Sequence, residues 1–165
     1  MIKLFMIERI SKIILVAAIA CFFTLVVFNN LTDYGTNFAY VQHVLLMDTI
    51  FPESTLTWRA ITNPPLQHLI YWSIIAWEAM TALLCWTGVL RLSQALKADG
   101  SDFDAAKSYG LIGLTASGVL WLLAFFCIGG EWFVMWQSPV WNGQPTAFRM
   151  FTISSIVLLW LRQPD

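Results

Sequence analysis

Charge is what this 165-residue chain has least of: 12% of its residues are Asp, Glu, Lys or Arg, against 58% that are hydrophobic. That ratio excludes an ordinary water-soluble domain, because too few ionised groups remain to cover a folded surface of this size. The formal net charge is −1 and no Lys/Arg run occurs. The electrostatic drive for nucleic-acid binding is therefore missing, and nucleic acid is not an expected partner. Cysteine is scarce as well. Cys21, Cys85 and Cys127 all fall inside apolar runs, so the odd count implies no disulfide framework and each reads as a small hydrophobe. Histidine occurs only as His43 and His68, with no HxxxH or CxxC spacing and no opposed mid-membrane pair to hold a haem. GxSxG, Walker, HExxH and dinucleotide-glycine patterns are missing too, which leaves covalent catalysis and nucleotide chemistry without local support. An enzyme is not the expected reading, and no cofactor is predicted.

What is present is long apolar sequence. Runs of spanning length occur at about 13–31, 69–90 and 109–129, with a shorter one at about 146–161. Ala20-Cys21 imitates a lipoprotein cleavage site, but the apolar run continues to Phe28. That is too long for a signal-peptide core, so the segment is expected to be retained as the first span. The fourth run, roughly 24 Å at 1.5 Å per residue, needs extension at its ends or a thin bilayer. The prediction is one all-α integral membrane domain over residues 1–165 with four transmembrane helices. Lys3, Arg9, Lys12, Arg91, Lys97, Lys107 and Arg162 fall on one side and only Arg59 and Arg149 on the other. The positive-inside rule then places both termini and the connection 91–108 in the cytoplasm. That connection reads as a solvated linker.

The unusual residues collect on the opposite, periplasmic side, in segments 32–68 and 130–145, and an ordered cap built from these first and third connections is expected. Residues 37–51 suit a helix ended by Pro52, with Asn37, Gln42, His43 and Asp48 spread around it, as in a helix buried on several sides. Asn63-Pro64-Pro65 break the segment that follows. The stretch "GGEWFVMWQSPVWNGQ" gathers Trp132, Trp136 and Trp141. An aromatic belt accounts for the indoles, but not for the turn-rich polar residues Gln137, Ser138, Asn142, Gly143 and Gln144. Trp132, Trp136, Gln137, Trp141, Asn142, Gln144 and Arg149, with Trp58 and Arg59 from the first connection, are the candidate recognition surface. The order polar residue, Met, aromatic, Arg recurs as His43, Met47, Phe51, Arg59 and as Glu131, Met135, Trp141, Arg149, which raises a duplicated hairpin as a hypothesis.

Candidate polar or ligand groups are His43, Met47, Asp48, His68, Glu78 and Glu131. His43 and Met47, four residues apart, would place imidazole and thioether on one helix face, and His43 and His68 are weak metal candidates. Glu78 lies well inside the second span, where a carboxylate costs about 2.5–3.5 kcal/mol on insertion scales. By depth, Thr24, Ser154, Ser155 and the Trp121 indole are its candidate partners. Gly110, Gly113, Ser117 and Gly118 give the third span a small-residue spacing that permits close helix contact, within the chain or with a partner.

"FNNLTDYGTNFAYVQHVLLMDTIFP", "WRAITNP" and "GGEWFVMWQSPVWNGQPTAFRMF" resemble the bacterial family of predicted small integral membrane proteins, domain of unknown function two-one-six-five. The resemblance covers nearly the whole chain and implies a four-helix protein of the bacterial inner membrane; it supplies no catalytic residue. The expected role is a non-catalytic accessory or assembly subunit. Its partners would be membrane lipids and another membrane protein, or a second copy of the chain, bound through the Trp-rich cap. One alternative is a lipid, quinone or metal site between cap and bundle, and another is proton or ion translocation through Glu78.

Overall fold

The computed structural model describes residues 4–165; Lys3, counted above on the cytoplasmic side, lies outside the described residues. Six α-helices follow one another, and no strand occurs among the described residues: α1 (Leu4–Thr32), α2 (Tyr34–Leu46), α3 (Pro64–Gln94), α4 (Gly100–Ala106), α5 (Ser108–Val119) and α6 (Gln144–Arg162). α5 continues as a π-helix, Leu120–Trp132, and short 3-10 turns lie at Thr57–Arg59 and Met135–Gln137. Leu4–Thr32, Pro64–Gln94 and the stretch Gly100–Trp132 are long and apolar enough to cross a membrane. α6 has 19 residues and carries Arg149, Thr152, Ser154 and Ser155, which dilute its apolar character.

Lipid tails give apolar side chains no reason to prefer one another, so close backbone approach and dispersion hold such helices together. α3 is the central element, packed along α1 on one side and α5 on the other, with α6 closing against α5, the π-helix and α1. Its buried residues Gln67, Tyr71, Ile75, Glu78, Ala82 and Cys85 recur every three or four positions. α6 buries the matching stripe Ala147, Ser154, Val157 and Leu161. The small residues of α5 serve this packing: a Cβ at Gly88 would come within 2.6 Å of the Gly110 backbone nitrogen, and one at Gly113 within 2.7 Å of Cys85 Sγ. Ser117 and Ser154 share a buried hydroxyl hydrogen bond of 2.7 Å.

Two elements begin or end elsewhere than the sequence predicts. Pro64 and Pro65 start the second long helix, since their missing N–H groups fall where a first turn has none to satisfy, and Asn63 caps it by accepting from the Leu66 N–H at 3.1 Å. α2 stops ahead of Pro52 because Met47 takes left-handed backbone (φ 53°) and its N–H turns back to the His43 and Val44 carbonyls. The conformational cost, about 1–2 kcal/mol, is offset by burying the Met47 side chain with Leu45, Phe133 and Val134.

The connection 91–108 is more than the solvated linker expected of it. It carries α4, whose Phe103 is fully buried, and the Arg9 guanidinium lies 4.6 Å above that ring. Arg9 donates to both carboxylate oxygens of Asp165, at 2.8 and 2.5 Å, and to the Leu96 and Ala98 carbonyls, each at 2.8 Å. Lys12 and Lys107 both donate to the Gln163 carbonyl. Arg9, Lys12, Lys107 and Asp165 thus tie α1, α4 and the end of α6 into one floor.

Two expectations follow. Gly88→Ala should lower the thermal midpoint in detergent by the equivalent of about 1–3 kcal/mol, whereas Gly118→Ala, whose Cβ would meet Phe151 at an ordinary 3.8 Å, should leave it unchanged. The Arg9 hydrogen bond holds the Asp165 carboxyl below its usual range. A depressed carboxylate contributes stability above the unfolded value and loses it as pH falls through the folded one. Melting curves should therefore shift down on acidification below the usual carboxylate range. Asp165→Asn should remove that shift at a cost of about 3 kcal/mol, the low end of the range for an orphaned buried charge because two carbonyls still serve Arg9.

Candidate functional site

At the bundle end opposite that floor, the first and third connections fold against each other. Thr49 and Ser138 hydroxyls share a hydrogen bond of 2.7 Å, and the Phe51 N–H donates to Gln137 Oε1 at 3.2 Å. Leu45, Met47, Phe133 and Val134 are buried together between the two segments. Gln67 ties this layer to α3: it donates to the Ile61 carbonyl at 2.7 Å and accepts from Gln42 at 3.1 Å. Val134, in left-handed backbone (φ 45°), lets the chain reverse after the π-helix so that its segment lies flat on the first connection.

This layer presents a fixed aromatic surface. The Arg59 guanidinium stands 5.3 Å from the Trp58 ring and 4.7 Å from the Trp132 ring, whose indoles meet edge to face at 5.9 Å. Arg59 also donates to the Trp132 carbonyl at 3.1 Å. Trp58 nonetheless remains 70% exposed and Trp132 48%. Trp136 stacks edge to face on Phe51, and both are exposed. Trp141 lies flat on His43 at 4.6 Å, and His43 Nδ1 is 2.7 Å from Asp48 Oδ2. Trp58, Arg59, Trp132, Trp136 and Gln137, distant in sequence, thus belong to one layer. Arg149 does not join it and is exposed on α6. Glu131 accepts from Gln144 at 3.4 Å, and Asn142 accepts from the Gln144 N–H at 3.1 Å.

The proposed soft-metal pair is not formed. α2 ends at Leu46, so Met47 leaves the helix face that carries His43 and turns into the core. His68 lies elsewhere, 2.8 Å from the Tyr34 hydroxyl and stacked 4.0 Å from Phe38. Among the described residues no three His, Cys, Asp or Glu side chains are grouped to hold a metal. Nor do the two hairpins correspond: nothing in the second matches α2, since a 3-10 turn, Met135–Gln137, alone separates the π-helix from α6.

Glu78 is buried, but its partner is none of those expected from depth. Asn30 donates to Glu78 Oε2 at 2.7 Å, and the Tyr71 hydroxyl reaches the Asn30 carbonyl at 3.5 Å. Thr24 instead accepts from Trp86, Ser154 pairs with Ser117, and the buried Trp121 Nε1 has no partner. Asn30 escaped sequence reasoning because it stands where the apolar run fades and reads as a helix end; α1 continues past it to Thr32. Tyr34 and Tyr40, also missed, lie on α2. Burial raises the Tyr34 hydroxyl above its ordinary value and pushes Tyr40 up to about 12. Both are held neutral, and Tyr40 donates to Met135 Sδ at 3.2 Å.

Residues 8–164 match the family described as predicted small integral membrane protein (DUF2165). The chain belongs to that family. No curated protein and no solved structure matches it. This DUF2165 member is an integral membrane protein.

If the pair is a hydrogen bond holding α1 to α3, Glu78→Gln should melt within a few degrees of the parent, because an amide oxygen still accepts from Asn30. Asn30→Ala, which leaves a buried carboxyl unsatisfied, should cost about 1–3 kcal/mol. Circular-dichroism melts in one detergent would check both.

Proposed function

We propose that this protein is a non-catalytic accessory subunit of the bacterial inner membrane that docks another integral membrane protein through its aromatic end layer. In this reading α6 is the fourth span. The end bearing Arg9, Lys12, Arg91, Lys97, Lys107 and Arg162 faces the cytoplasm, as the bias of basic residues favours, and the layer carrying Trp58 and Trp132 faces the periplasm.

The observation that carries the proposal is the Trp58–Arg59–Trp132 cluster. An aromatic belt needs only indoles at headgroup depth; it does not need a guanidinium held between two of them, nor a Trp so exposed yet fixed in place. Fixing these side chains beforehand lowers the ordering cost of association, and Trp and Arg are the residue types that dominate interface energetics.

The test is in-cell photo-crosslinking with a photoreactive residue at position 58, 136 or, as a lipid-facing control, Leu83 on α3. Positions 58 and 136 should give a discrete adduct with one other membrane protein, and position 83 lipid adducts alone. Arg59→Ala should weaken the position-136 adduct severalfold with the helical spectrum intact. Adducts of the chain with itself would redirect the reading to self-assembly, and lipid adducts at all three positions would reject docking.

A further inference from the structure

Beneath the end layer the bundle is not filled. A cavity of about 210 Å³ lies between α2, α3 and the π-helix, and a second of about 260 Å³ lies between α2, the π-helix and the start of α6; Tyr40 and Phe125 line both. A third, of about 190 Å³, continues along α6 and shares Trp121 with the second. The three form a trough alongside the π-helix, each large enough for an aromatic ring, since a dry cavity of about 150 Å³ accepts benzene. No charged side chain lines any of them. The Trp121 side chain lines the second and third cavities, and its indole N–H is buried and has no acceptor, although buried donors are nearly always satisfied. Tyr40 lines the second cavity with Trp121, and its hydroxyl donates to Met135 Sδ. The helix that forms the trough's wall is π-helical over 13 residues, a winding that is rare and concentrated at functional sites.

We propose that this trough binds a neutral, membrane-soluble molecule whose carbonyl oxygen accepts the Trp121 N–H. The absence of charge in the lining disfavours an ionised ligand. An apolar wall suits a ring or tail arriving from lipid, and the buried, unpartnered Trp121 donor asks for an acceptor oxygen. Water fits poorly, because it needs two to four polar partners at one place. A quinone ring and the ester carbonyl of a lipid share this chemistry. The site is separate from the exposed indoles of the docking face, so either can fail alone.

The experiment uses the full chain in detergent, offered a benzoquinone with a short isoprenoid tail or palmitoyl-oleoyl-phosphatidylethanolamine, followed by detergent exchange and native mass spectrometry. Trp121→Phe keeps a ring and deletes the donor, Thr146→Phe fills the second cavity, which Trp121 also lines, and Trp86→Phe makes the same chemical change on the lipid-exposed side. The parent and Trp86→Phe should retain one molecule per chain of one probe, and which probe names the source. Trp121→Phe should hold it about tenfold more weakly, the worth of one lost hydrogen bond, and Thr146→Phe should not hold it. Retention of neither probe by the parent, or equal retention by Trp121→Phe and the parent, overturns the site. If Trp121→Phe does not fold, undiminished binding by Thr146→Phe overturns it equally.

Discussion

The contact on which the rest of the molecule depends is the approach of α3 to α5 at Gly88, Gly110 and Gly113. Side chains are excluded there because backbone meets backbone, and dispersion at that range is the main attraction available between helices in lipid. Moving away from the floor, the same two helices are joined at mid-depth by the Trp77 indole donating to the Ala116 carbonyl at 2.9 Å. Further along, where Ile70 and Ile74 face Ala124 and Ile128, a cavity separates them. The pair therefore closes at one end and opens at the other. The π-helix begins at Leu120, where this opening begins, and its wider turns face the space that the splayed helices leave.

An open end in a membrane protein exposes backbone and polar groups that lipid cannot satisfy. Two devices deal with this. The connections fold over the opening, with Gln67 and Gln42 supplying hydrogen bonds from the helices to the layer above. Below it, the polar side chains of α1 and α3 meet each other: Glu78 with Asn30, and Tyr71 with the carbonyl of the same residue. At the closed end the task falls to charges. Arg9, Lys12 and Lys107 are buried, yet every one of them reaches a carboxylate or a carbonyl. Basic residues thus hold the floor together.

The layer over the opening has two faces with different chemistry. Inward, it presents Tyr40, Phe133 and Met135 to the apolar trough. Outward, it presents indoles fixed by Arg59 and by one another. A ligand in the trough would touch Tyr40, and Tyr40 stacks edge to face on Trp141, so the two faces are joined through two rings. A molecule bound from the lipid side and a protein docked from the aqueous side would then act on one thin layer.

Much of this was legible in the amino-acid sequence because it depends on sums over many residues. The apolar runs, the basic bias and the aromatic first and third connections each follow from composition along the chain, and the small residues of α5 follow from spacing. Trp58, Arg59 and Trp132 were recognisable as a class of residue, although their meeting was not. What the sequence could not determine turns on pairings across it. Asn30 is the partner of Glu78 because α1 and α3 pack side by side with position 30 level with position 78. Met47 leaves His43 because a single left-handed residue ends α2, and no periodicity encodes that choice. The Trp121 donor is unpartnered only because the neighbouring helices diverge around it. Composition and period determine which segments enter the membrane, since transfer free energy is additive along a chain. Which polar groups meet inside is decided by helix ends and crossing points, which only the tertiary structure sets.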